Sequence, residues 1–259
     1  MARFGMPTLF EADSVERAAA LCGELGLSFV ELNANFPAFL PQRLQAQELL
    51  RLRESCGVEF TIHLDDEMNI ADFNSLVAEA YSQSVRQTLE LAGEAGIHVL
   101  NMHLPRGAVY TLPDRKVYFS QQYSEAYLDA VRRFRDRCHG WIAGADIKLC
   151  VENSQGFLPV QREAIDLLLE SPIFGLTLDI GHDFCAGGSD GAFMLERKRH
   201  LRHMHMHDAC LPNADHLPLG DGEIRLWEYL ELANQVDATV VLEVKTEAGL
   251  RKSLEWLRK

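Results

Sequence analysis

Residues 4–33, FGMPTLFEADSVERAAALCGELGLSFVELN, contain a complete strand–helix–strand unit. The apolar runs FGMPTL and SFVELN are too short for helices and read as strands, while Val15, Ala18, Cys22 and Leu25 between them recur at helical spacing. Asp13 is expected to cap this helix, with Glu16 reaching back, and Gly26 to end it. The same grammar returns at Leu44, Leu49, Leu52 and Cys56 before Gly57, and at Val77, Tyr81, Val85, Leu89 and Ala92 before Gly96. Looser helical patterns occupy Tyr123 to Trp141, Ile165 to Leu169, Trp227 to Ala233 and Leu250 to Leu257.

The runs EFTIHL, IHVLNMH, IKLCVEN, FGLTLDI, LRHMHMH and TVVLEV complete a set of eight apolar segments. Alternating strands and helices build a parallel sheet with helices outside it, and eight units close a barrel where five or six leave it open. The expected fold is a single α/β (β/α)8 TIM barrel over residues 1–259, a length within that architecture's usual range. No linker, low-complexity tract or sequence repeat divides the chain.

Composition narrows the function. With 47% hydrophobic and 24% charged residues the chain has a globular balance, and no apolar stretch approaches the ~18 residues of a membrane span. The N-terminal MARFGMPTLF lacks the pattern of a secretion signal, which predicts a cytoplasmic location. The six cysteines, without a C-x-x-C pair, read as reduced and mostly buried. A formal net charge of −13 opposes polyphosphate partners, and no basic cluster offsets it.

In such a barrel the carboxyl ends of the strands form the active face. Here TIHLDD ends in His63, LNMHLP in His103, CVENSQG in Glu152, and LTLDIGHDF in Asp179 followed by His182. HMHMHD offers His203, His205, His207 and Asp208, and VVLEVKT offers Glu243 and Lys245. Unpaired carboxylates in apolar strands cost several kcal/mol, and a divalent cation at a common mouth compensates them together. Carboxylate and imidazole donors suit Zn, Mn, Co or Fe. Alternation sets His203, His205 and His207 on one side of the seventh strand; His205 is the preferred ligand, with His203 beneath it and His207 near the rim. His98, His139 and His200 read as structural or surface residues.

VENSQG, LDIGH, HMHMHD, DHLPLGDGEI and LEVKT, in this order, resemble the xylose isomerase-like TIM-barrel superfamily of sugar (phosphate) isomerases and epimerases, inosose dehydratases and the endonuclease IV group. The resemblance implies one metal held by Glu152, Asp179, His205 and Glu243. Endonuclease IV adds two zinc ions, and several of its extra ligand positions match His63, His103, His182 and His216. Its Asp two residues before the last histidine corresponds to Ala214, with Asp215 displaced by one position.

Three function classes follow. In an isomerase or epimerase of a small keto sugar, sugar phosphate or related hydroxy-carbonyl compound, Glu152 and Glu243 move a proton through a metal-stabilised enediolate. An abasic-site nuclease would use the histidines, but the loop DDEMNIAD sets Asp65, Asp66 and Glu67 where a phosphate backbone would approach. A dehydratase or lyase would share the first proton abstraction. Arg106, Arg115, Lys116 and Lys245 are the cations available to a charged substrate, and Phe36, Pro37 and Phe39 could wall a sugar face. The expected partner is a small carbohydrate-like molecule, and no glycine-rich motif calls for a nucleotide cofactor.

Overall fold

Each of the eight apolar runs forms a strand: β1 (Phe4–Pro7), β2 (Phe29–Asn33), β3 (Glu59–His63), β4 (Val99–His103), β5 (Lys148–Glu152), β6 (Phe174–Asp179), β7 (Leu201–Met206) and β8 (Thr239–Leu242). The computed structural model describes residues 2–142, 144–212 and 214–259. The strands close in the order β1-β8-β7-β6-β5-β4-β3-β2, and every neighbouring pair is parallel. Helices cover the outside and side chains fill the inside, so both faces of the sheet are dry. All six residues of β6 are buried, which is why its sequence is a nearly unbroken apolar run ending in one acid.

The outer layer includes α1 (Val15–Leu25), α2 (Ala46–Cys56), α3 (Ser75–Ala95), α4 (Ser124–Trp141) and α5 (Pro159–Leu169). It continues with α6 (Ile180–Cys185), α7 (Ser189–Leu195), α8 (Leu226–Val236) and α9 (Glu247–Leu257). Gly26, Gly57 and Gly96 end α1, α2 and α3 in the left-handed region, where a side chain would be strained. The cap of α1 is Ser14, not Asp13: the Ser14 hydroxyl accepts the Arg17 N–H at 3.3 Å. Asp13 stands one residue too early and instead pairs with the Arg17 guanidinium at 2.9 Å. Helices α6 and α7, at six and seven residues, are too short to show the period by which the longer ones were read.

Two sequence faces depart from expectation. On α3, Val85, Leu89 and Ala92 are buried, but Val77 and Tyr81 rise beyond the barrel top and line a cleft there. On α2, Cys56 is exposed, as is Cys185, and Cys210 is half-buried; only Cys22, Cys138 and Cys150 are buried thiols, and all six are free. None of the helices among the described residues is long and apolar enough to cross a membrane.

The register positions the mouth. His103 stands opposite Glu152, and Asp179 opposite His205. Parallel pairing therefore brings polar strand ends, each isolated in sequence, to a common level above the apolar interior.

Candidate metal centre

Glu152 and Asp179 are the last residues of β5 and β6, His205 lies one residue before the end of β7, and Glu243 directly follows β8. One donor atom from each lies within 4.8 Å of those of the other three. His205 is the hub: its Nδ1 is 3.1 Å from Glu152 Oε1, 3.3 Å from Glu243 Oε2 and 3.9 Å from Asp179 Oδ2. All four side chains are buried.

Two further groups flank this cluster. On one side Glu152 Oε2 lies 3.2 Å from His63 Nε2 and 3.5 Å from His103 Nε2. It also accepts a hydrogen bond from the Asn101 amide. Asp66 Oδ1 faces the opposite nitrogens of both rings, at 3.4 and 3.7 Å, so His63, Asp66 and His103 form a second candidate donor set.

On the other side His182, His207 and His216 gather around Asp179. His207 Nδ1 lies 2.8 Å from the backbone N–H of His216 and 3.2 Å from the Asp208 carbonyl, and its Nε2 faces Asp179 Oδ1, 3.1 Å away. His207, expected near the rim, is completely buried. Its ring stacks on that of His216 at 4.2 Å and occupies the space beside Gly181, where a Cβ would come within 1.9 Å of His207 Cε1. That close approach explains the glycine of LDIGH. Asp215, although displaced relative to the endonuclease pattern, reaches His216 Nδ1 at 3.0 Å.

Burial works to neutralise these groups, yet opposite charges overrule it. Desolvation raises the Glu152 and Glu243 carboxyls, but His205, joined by His103 at Glu152, holds both well below the usual range. Conversely, burial disfavours charge on His63 and His205, while Glu152 and Glu31 push His63 up to about 9 and His205 well above its ordinary value. Without another cation, protons on histidines must balance the acids. His103 Nε2, His182 Nδ1, His205 Nε2 and Glu243 Oε2 are buried without a hydrogen-bond partner among the described residues. Converging oxygen and nitrogen donors, several of them unsatisfied, fit a divalent ion.

The structure also brings in residues that strand-end reasoning overlooked. Glu31, in the middle of β2, is 2% exposed and reaches His203 and His205. Its sequence signal was the same as that of the other acids, a carboxylate inside an apolar run, but it lies two residues before the strand's end. Asp208 has a different task. Its carboxylate accepts the N–H groups of Gly220 and Ile224, at 3.0 and 3.1 Å, and so folds the loop after β7.

Above the cluster opens a cleft of about 690 Å³, lined by His103 and His182 at its floor and by Asp66, Glu67, Asp72 and Arg106 on its walls. Arg106 faces this space, but its guanidinium is already bonded to the carbonyls of Gln155 and Gly156 and to the Tyr118 hydroxyl. The Lys245 side chain is half-exposed, and its Nζ lies 2.7 Å from Glu243 Oε1. Arg115 pairs with Asp114 on the surface, and Lys116 lies in an antiparallel ribbon formed by Val109–Thr111 and Lys116–Tyr118. Phe39 is a core residue, and Phe36 packs between it and Phe10.

Known proteins share this architecture. The chain is 26% identical over 223 residues to the uncharacterized protein MJ1311 of Methanocaldococcus jannaschii, covering 81% of this chain and 72% of that one. Among solved structures, a D-tagatose 3-epimerase-like protein superposes with a TM-score of 0.79 at 24% identity, over 99% of this chain and 96% of the other. The IolI protein, solved with a zinc atom, gives a TM-score of 0.73 at 12% identity, over 98% and 95%. A sequence model of the xylose isomerase-like TIM barrel matches residues 19–259, nearly the whole chain, and with that match the protein belongs to the xylose isomerase-like TIM barrel family.

Proposed function

We propose that the chain is a divalent-metal-dependent isomerase or epimerase of a small keto sugar or related hydroxy-carbonyl compound. The observation that carries this reading is the pair Glu152 and Glu243. They lie three strands apart around the mouth, at 3.1 and 3.3 Å from the same His205 nitrogen, with one Glu243 oxygen lacking any hydrogen-bond partner among the described residues. A divalent ion held by Glu152, Asp179, His205 and Glu243 would acidify a C–H beside a carbonyl and stabilise the oxyanion that develops. On this reading Glu152 and Glu243 flank the substrate beside the ion, one taking the proton and the other returning it. Neighbours of the same fold include a D-tagatose 3-epimerase-like protein and a protein solved with a zinc atom, which supports this reading.

The cleft walls bear on the substrate. Asp66, Glu67 and Asp72 confront any bound molecule, and the guanidinium nearest to them is engaged by loop carbonyls. Such walls accept hydroxyl donors and repel a phosphate dianion. Incubation with Mn²⁺ in D₂O should therefore introduce deuterium at one carbon of an unphosphorylated ketose. The corresponding phosphate ester should exchange at least about ten-fold more slowly, the equivalent of ~1.4 kcal/mol. Equal or faster exchange of the ester would assign Arg106 or Lys245 to phosphate binding. A dehydratase would share the exchange but release water, which product analysis by NMR separates.

One observation favours a second reading. The flanking sets around His63 and His103, and around His182 and His216, resemble the additional positions of abasic-site nucleases. If a second ion binds at the first set, a His63→Ala, His103→Ala double variant should lose one equivalent of metal by elemental analysis and keep the other. Cleavage of an abasic duplex, together with no exchange in any ketose, would select the nuclease.

A further inference from the structure

Beneath the metal cluster lies a buried polar chain that needs its own explanation. Glu31 extends inward from β2 between Val30 and Leu32, and its carboxylate meets three groups from two strands, one on β3 and two on β7. The Thr61 hydroxyl donates to Oε2 at 3.3 Å, His203 Nε2 lies 3.0 Å from the same oxygen, and His205 Nε2 lies 2.8 Å from Oε1. Behind His203, Nδ1 is 2.6 Å from the Thr239 hydroxyl. Neither histidine ring exposes any surface.

The chemistry of a carboxylate assigns the hydrogens. An ionised Glu31 only accepts, so each ring nitrogen facing it must carry the proton. For His203 this places the hydrogen on Nε2 and leaves Nδ1 to accept from Thr239. For His205 it also places a hydrogen on Nε2, which leaves Nδ1, facing Glu152, Asp179 and Glu243, as the nitrogen whose proton an ion would replace. The His205 contact is short but lacks the alignment of a full hydrogen bond, and Nε2 has no other partner among the described residues.

We propose that Glu31 is a positioning residue for the metal centre: it holds the Nε2–H of His205, selecting the tautomer that presents Nδ1, and is itself held by Thr61 and the Thr239-anchored His203. This rests on the reading that the mouth binds a divalent ion. Carboxylate partners of metal-bound histidines fix ring orientation and raise ligand basicity, and their loss typically lowers metal affinity about 10–100-fold.

The test uses Zn²⁺ titrated into metal-stripped protein, with ¹⁵N NMR of histidine rings as a readout independent of activity. In the wild type, His205 should show Nε2 protonated and Nδ1 coordinated once Zn²⁺ is added. Glu31→Ala should weaken Zn²⁺ binding about 10–100-fold and mix the His205 tautomers. Glu31→Gln, whose amide oxygen can still accept the N–H, should recover most of that loss. Coordination through Nε2 in the wild type would overturn the proposal without any variant, even if Glu31→Ala fails to fold. Unchanged affinity in Glu31→Ala would overturn it too. Loss of a separate equivalent of Zn²⁺, with the remaining one bound as before, would instead make Glu31, His203 and His205 an ion site of their own. If wild-type protein binds no Zn²⁺, Mn²⁺, Co²⁺ or Fe²⁺, the metal reading fails and takes this inference with it.

Discussion

Glu243→Gln is expected to lower deuterium exchange into the ketose substrate by about 10²–10⁴-fold, almost entirely in kcat, which corresponds to ~3–5 kcal/mol of transition-state stabilisation. Glutamine keeps the volume and an oxygen that can still face the ion, but it cannot accept a proton. The structure separates this residue from Glu152. Glu243 Oε2 is free of hydrogen bonds among the described residues, and the other oxygen is held by Lys245. Glu152 is engaged at both oxygens, by His205 on one side and by His63, Asn101 and His103 on the other. Glu152→Gln should consequently weaken metal binding as well as turnover, so that added Mn²⁺ recovers part of its activity. The same addition should recover less for Glu243→Gln, because added ion restores binding but not the lost proton acceptor. Exchange surviving at wild-type rate in both variants would leave the two carboxylates as ligands only, and the proton transfer would then belong elsewhere in the cleft.

Removing the metal is expected to have the second large effect. Three carboxylates, Glu152, Asp179 and Glu243, meet in one buried mouth, with Glu31 buried beneath them. An ion bound at 1,000 times its dissociation constant stabilises the native state by about 4 kcal/mol. For a barrel of this size that is a fall of roughly 8–16 °C in Tm on chelation. Thermal unfolding with and without chelator measures it, and re-addition of Zn²⁺ or Mn²⁺ should restore the original midpoint. Asp179→Ala should abolish the metal-dependent part of the shift, because Asp179 contributes to the four-residue donor set and also anchors His182 and His207. A midpoint indifferent to chelator and to every added ion would count against a metal centre.

How much of this was visible in the sequence depends on the range over which each property is set. All eight strands were legible because burial on both faces of a parallel sheet writes itself as a short apolar run, a property of five or six adjacent residues. Helix ends at Gly26, Gly57 and Gly96 were legible for a similar reason, since one residue in the left-handed region carries the signal. Ser14 and Asp13 are neighbours of similar capping propensity, and only the backbone of Ser14, extended at φ −132°, shows which one stands at the cap.

The candidate site divides in the same way. Strand-end logic, with the family resemblance, selected Glu152, Asp179, His205 and Glu243, which converge to within 4.8 Å. It missed Glu31, because what makes that residue matter is His203, 172 positions away, across the barrel. It offered Arg106 to a substrate, whereas carbonyls some 50 positions later occupy the guanidinium. It set His207 near the rim, though the loop after β7 folds back over it and closes it off from solvent.

By itself, then, the sequence determined the number of strands, their order along the chain and the chemical character of their ends, because each depends on residues within one turn or one pleat. Which polar groups meet, which nitrogen of a buried histidine faces which carboxylate and which cations stay available were decided only by closure of the barrel. Closure sets the register between strands distant in the chain, and only there does a carboxylate acquire the partners that make its burial tolerable.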